Sequence, residues 1–169
     1  MIGLGLAAAV TEATGTPASP ALWFGSVIAS GLPDLDLLGG IFGLPTRRIH
    51  RHATHSLFVL GGLILMAAWA WPRLAGGLDS GIGVAWAAAL LSHPLLDLVT
   101  TGPATAAQGA GIALLWPVMS RRWFLQHPLF AAGEFTECRS RRQAWKALLP
   151  EFYFLGPASV VMILLGRLI

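Results

Sequence analysis

Three short stretches of the chain hold residues able to do acid–base or metal chemistry. Asp34 and Asp36 lie in Leu-Pro-Asp-Leu-Asp; His50, His52 and His55 lie in His-Arg-His-Ala-Thr-His-Ser; His93 and Asp97 lie in His-Pro-Leu-Leu-Asp. Two carboxylates as close as Asp34 and Asp36 repel each other unless a cation neutralises them. His93 and Asp97 are spaced i, i+4, which puts them on one helix face, with Pro94 able to perturb that turn. His50 and His55 would stand about 140° apart on a helix, so both serve one site only if the chain folds back. His52 and His55, at i, i+3, share a face if the helix starts early. Imidazole and carboxylate donors together suit Zn²⁺, with Mn²⁺ or Fe as alternatives, and do not suit a pure calcium cage. The candidate metal ligands are Asp34, Asp36, His50, His55, His93 and Asp97. Six donors exceed the need of one zinc, so one or two ions are expected. Asp36 or Asp97 is also a candidate general base. Arg51, beside His50, is a candidate phosphate clamp through its paired donors, or equally a charge that sets membrane topology.

What positions these residues is a set of apolar runs. The 169 residues are 55% hydrophobic and 11% charged, with mean hydropathy +0.67. A soluble domain carries about 25% charged residues, so a water-facing globule is excluded, and the abundance of Leu, Ile, Val and Phe excludes disorder. The expected class is an all-α integral membrane protein forming one domain. Its runs span about 2–10, 18–32, 56–71, 82–101 and 152–169, broken at Pro, Gly and charge. Several fall short of the ~20 residues of a full crossing. The first lacks the basic lead and cleavage site of a signal peptide, so it reads as a retained helix. Residues 102–117 are too interrupted for a sixth span and read as a re-entrant or interfacial segment, with Trp116 and Trp123 as anchors. Thr54 is the expected N-cap of the third helix, and Pro72 its expected end.

Nine of the eleven Lys and Arg residues fall in two loops, 34–54 and 118–147. Positive charge marks the cytoplasmic side. Five spans then require a cytoplasmic N-terminus and a periplasmic C-terminus in a multi-pass protein. All three ionisable clusters come to the cytoplasmic face, although they played no part in setting the topology. An ionisable pair inside a membrane helix is costly and marks function by default. Clustering at one face favours an enzyme over a metal or proton transporter, because Leu57 to Trp71 holds no ionisable residue. A non-catalytic scaffold braced by metal is the remaining alternative. The lone Cys138 cannot form an internal disulfide. Membrane lipid and a small-molecule or lipid substrate are the expected partners. Nucleic acid carries little weight, since membrane topology explains the arginines around Trp123 and Trp145 more economically. Oligomeric state is left open.

The ordered set Leu-Pro-Asp-Leu-Asp (32–36), His-Arg-x-x-Thr-His-Ser (50–56), His-x-x-x-Asp (93–97) and Leu-Leu-Trp-Pro (114–117) resembles a bacterial family over residues 1 to 120. It is similar to the LexA-regulated, inner-membrane-bound predicted metal-dependent hydrolases. The resemblance implies a membrane-embedded helical fold, a bacterial inner-membrane location and metal-dependent phosphoester chemistry. It also implies a distant relation to zinc phospholipase C and S1/P1-type nucleases. Asp34, Asp36, His50, His55, His93 and Asp97 match its motif, whereas His52 falls at a variable position. Relatives commonly carry a histidine at the head of the first helix, where this chain reads Met-Ile-Gly-Leu-Gly.

Overall fold

A computed structural model describes residues 2–36, 51–75, 79–103 and 111–129. Four α-helices account for most of them: α1 (Ile2–Thr14), α2 (Pro20–Gly31), α3 (Leu57–Ala75) and α4 (Ser80–Thr100). No strand occurs among the described residues, and the only sheet-like pairing there is one antiparallel bridge between Ile112 and Trp123. The expected runs at 2–10, 18–32, 56–71 and 82–101 correspond to these helices. The expected run at 152–169 lies outside the described residues. At 21 residues, α4 is the one described helix long and apolar enough to cross a membrane; Ile2–Thr14 and Leu57–Trp71 are shorter apolar stretches.

Small residues supply much of the interior, and many large apolar ones face outward. Ala7, Ala8, Ser26, Ala29, Ala85 and Ala89 are buried, while Phe24, Ile28, Leu65, Met66 and Trp69 are exposed. Lipid gives no hydrophobic reward for hiding large side chains, so helices gain by close backbone approach through small residues. At Gly3 the two backbones themselves approach closely, because a Cβ there would stand 2.5 Å from the Ser26 carbonyl oxygen. One packed cluster joins Ala7, Leu22 and Ala85 of α1, α2 and α4. Another joins Ala29 of α2, Leu60 of α3 and Ala89 and Leu90 of α4.

Two boundaries differ from expectation. The first helix continues past Val10 to Thr14, because Thr11 and Thr14 return their hydroxyls to the carbonyls of Ala7 (3.0 Å) and Val10 (2.7 Å) and so add no unpaired polar group. The third continues through Pro72 to Ala75, since a proline this near a helix end removes only one backbone bond. Away from the ionisable clusters, Asp79 caps α4 through Gly81 N (2.8 Å) and accepts from Thr16 Oγ1 (3.1 Å), tying the α1–α2 turn to the start of α4.

Candidate metal centre

The site is built where the end of α2, the start of α3 and the last turns of α4 meet. Residues 32–36 tighten into a 3₁₀ turn directly after α2, which carries Asp34 and Asp36 out of the helix. A second 3₁₀ turn, Ala53–His55, leads into α3, with His55 N bonded to His52 O (3.3 Å) and Ser56 N to Ala53 O (3.1 Å). Here the expected cap is corrected. Ser56 Oγ, not Thr54, accepts from the first turn of α3, at Phe58 N (3.2 Å), because Leu57 N is drawn instead to Leu114 O (2.9 Å) and so fixes where the helix begins. His93 and Asp97 lie on one face of α4 as expected, and the helix passes through the buried Pro94 without ending.

These elements bring Asp34, His55 and His93 together, one ligand atom from each lying within 4.8 Å of the others. His93 Nε2 is 3.2 Å and His55 Nε2 3.9 Å from Asp34 Oδ1. Asp97 Oδ2 extends the set, 3.0 Å from His55 Nε2 and 4.0 Å from His93 Nε2. The two imidazoles meet edge to face, with ring centroids 5.2 Å apart. Tetrahedral zinc, with bonds of about 2.0–2.1 Å, separates its donors by about 3.3–3.4 Å. The observed spacings bracket that value.

The protonation pattern points the same way. His93 Nδ1 lies 2.7 Å from the Ser30 carbonyl, which only accepts, so Nδ1 carries the proton and donates. Thr54 has a single hydroxyl proton and gives it to Asp36 Oδ2 (2.7 Å), so at 3.1 Å it accepts from His55 Nδ1. With Nδ1 engaged in this way on each ring, Nε2 is the atom that each ring turns toward a carboxylate oxygen. Lone pairs facing at 3.0–3.2 Å need a positive centre between them, either a proton or a metal cation. Outer bonds that fix the ring orientation are the usual support of a ligating histidine. His55 is fully buried, whereas Asp34 is 41% exposed at its side chain and marks the open side.

Arg51 fills the floor. Its Nε lies 3.1 Å from Asp97 Oδ2 and its Nη2 donates to Asp97 Oδ1 at 3.2 Å, while Nη1 donates to Thr101 Oγ1 at 2.9 Å. Thr101 Oγ1 passes its own proton to Asp97 O (2.6 Å). The backbone of Arg51 takes φ +58°, and its carbonyl accepts from Ala113 N (3.0 Å).

Segment 111–129 clasps this floor. Besides Leu114 and Ala113, Trp116 O accepts from Ser56 Oγ, Leu125 N donates to Thr101 O (3.0 Å) and Leu129 N to Val99 O (2.8 Å). Its Arg122 donates from Nη1 to Gly111 O (2.8 Å), and Arg121 stacks on the Trp123 ring (4.7 Å). Burial, and then the neighbouring Arg51 charge, lower the pKa of Arg122; burial, and then Arg122, lower that of His52. Arg51, Arg122 and His52 thus form a connected basic group, joined to the cluster through the contact of Arg51 with Asp97. Spacing alone gives no sign of the part played by Arg122, or of the bond from Thr54 to Asp36, because both depend on contacts distant in sequence.

Of the expected ligands, Asp36 is held by Thr54, and His50 lies outside the described residues.

No solved structure matches the chain. Inner membrane protein YbcI of Escherichia coli (strain K12) is 34% identical over 146 residues, which cover 82% of this chain and 73% of that protein. The family described as YdjM inner membrane protein matches residues 1–167. A lipid-adapted helix bundle and a match over nearly the whole length agree, and the chain belongs to the YdjM inner membrane protein family.

Proposed function

We propose that this inner membrane protein is a metal-dependent hydrolase that acts at the cytoplasmic face on a phosphoester or lipid-type substrate. One observation carries the reading: Asp34, His55 and His93, far apart in sequence, converge within 4.8 Å, with both imidazole Nε2 atoms turned inward. Asp34, His55 and His93 hold one divalent ion, zinc ahead of manganese or iron, and Asp97 supplies a further oxygen or the base. When bound, such an ion polarises a phosphoryl oxygen and brings the pKa of its water toward ~7.

The chain's own residues do the rest. Arg51 supplies the counter-charge of Asp97 and keeps its carboxylate pointed at His55. Burial of His55 keeps bulk water from the inner side of the cluster. The half-exposed Asp34 leaves the opposite side open to substrate. The proposed arrangement in the bilayer is one multi-pass domain, N-terminus cytoplasmic and C-terminus periplasmic.

The test is hydrolysis of a phospholipid panel and a generic phosphodiester by the protein in nanodiscs supplied with Zn²⁺ or Mn²⁺. Turnover that disappears in His93→Ala and Asp34→Ala supports the proposal. Metal held without turnover on any member of the panel rejects it in favour of a metal-braced scaffold.

A further inference from the structure

Asp36 shares its motif with Asp34, yet its carboxylate is engaged by Thr54, whose hydroxyl is engaged in turn by His55. The sequence Asp36 Oδ2, Thr54 Oγ1, His55 Nδ1 runs through contacts of 2.7 Å and 3.1 Å. A threonine hydroxyl has one proton and can send it only one way. An ionised carboxylate only accepts, so the proton goes to Asp36 and the oxygen lone pairs are left for His55. That leaves His55 one choice at Nδ1, to be the donor. Its other nitrogen, Nε2, is the atom 3.0 Å from Asp97 and 3.9 Å from Asp34.

We infer that Thr54 is a positioning residue: driven by Asp36, it sets the tautomer of His55 and so presents the Nε2 lone pair to the cation site. The inference rests on the proposed metal centre and adds to it a division of labour between the two aspartates. Asp34 faces the ion, and Asp36 acts through Thr54. His93 is set by a different device, the Ser30 carbonyl at 2.7 Å, so loss of the threonine relay reaches one imidazole and spares the other. A carboxylate in second place raises the basicity of the imidazole it supports as well as orienting it. Separation by a hydroxyl keeps the negative charge of Asp36 off the ring itself.

Two measurements on full-length protein in detergent test this with Thr54→Val, which matches the shape without the hydroxyl, Thr54→Ser, which restores it, and Asp36→Asn. The first is the ¹⁵N spectrum of the histidine side chains in metal-free protein, recorded at alkaline pH where an imidazole is neutral; with five histidines in the chain, His55→Gln assigns the signal. The wild type and Thr54→Ser should show His55 protonated at Nδ1. Thr54→Val should move it toward the Nε2-protonated form while His93 stays unchanged. The second is the affinity for Co²⁺ or Zn²⁺. Outer-partner losses typically cost 10–100-fold in affinity, so Thr54→Val should bind that much more weakly and Thr54→Ser close to the wild type. Asp36→Asn should weaken binding and keep the stoichiometry.

An unchanged His55 tautomer in Thr54→Val overturns the inference, as does unchanged affinity. Complete loss of metal in Asp36→Asn beside normal binding in Thr54→Val would make Asp36 a direct ligand, and also overturns it. Failure of the wild type to bind any metal would sink the proposed function instead, and the tautomer measurement would still decide the relay.

Discussion

Arg51 holds Asp97 at both carboxylate oxygens, with Nη2 donating to Oδ1 at 3.2 Å and Nε in ion-pair contact with Oδ2 at 3.1 Å, while its own backbone stands at φ +58°. A non-glycine residue in the left-handed region costs about 1–3 kcal/mol and persists only where its surroundings over-determine it. The fork on Asp97, the bond to Thr101 and the Ala113 contact at its carbonyl together do so. The aspartate that faces the two histidines is therefore held in place from a separate loop.

Removal of the Arg51 side chain should leave a largely buried carboxylate without its counter-charge, at a cost of about 3–5 kcal/mol. Arg51→Gly and Arg51→Ala both delete the fork, but only glycine adopts φ +58° freely. Arg51→Gly should accordingly be the less damaged by about 1 kcal/mol, and Arg51→Lys, which keeps charge without the fork, should lie between wild type and alanine. Unfolding titrations in detergent measure the order; equal stability of the glycine and alanine variants would mean the backbone carries no strain.

Gly3 offers a second contrast. A methyl group there would meet the Ser26 carbonyl at 2.5 Å and the Ser30 hydroxyl at 3.0 Å, whereas one at Gly31 would meet nothing within 4 Å. Gly3→Ala should force α1 away from α2 at about 1–3 kcal/mol. Gly31→Ala should be neutral or stabilising. Comparable losses for the two would refute the close α1–α2 packing.

Acid should act through His52. Burial, then the Arg122 charge, hold its pKa below the ordinary 6.5, so the folded protein binds this proton less readily than the unfolded chain. The stability involved is fully present above about pH 6.5 and is lost as pH falls from there toward the folded pKa. His52→Gln should flatten the dependence of the thermal midpoint on pH between about 7.5 and 5.5 relative to wild type. Parallel curves would show that His52 feels no such environment.

The sequence is informative about this site in unequal degrees. The i, i+4 spacing of His93 and Asp97 already implied a shared face, and the charge-poor runs implied helices that end together at the acidic and histidine clusters. Asp34, His55 and His93 meet as that reasoning expected. The cap was misplaced at Thr54, because Ser56 becomes the cap only through the bond of Leu57 to Leu114, 57 residues away in the chain. The same holds for Arg51, read as a phosphate clamp or a topology charge. Its fork closes on Asp97, a pairing no local pattern announces. Leu-Leu-Trp-Pro could be recognised as a motif, yet its part in holding the start of α3 rests on main-chain bonds at Leu114 and Trp116, which side-chain identities do not encode.

The most direct test of the account is the metal content of the purified protein beside Asp34→Ala, His55→Ala and His93→Ala, with Asp79→Ala as the comparison. Asp79 caps α4 and bonds Thr16, remote from the cluster; its loss should cost about 1 kcal/mol of stability and no metal. The account predicts bound divalent metal in the wild type and in Asp79→Ala, and its loss from each of the other three. Wild-type stoichiometry in His55→Ala and His93→Ala together would contradict it.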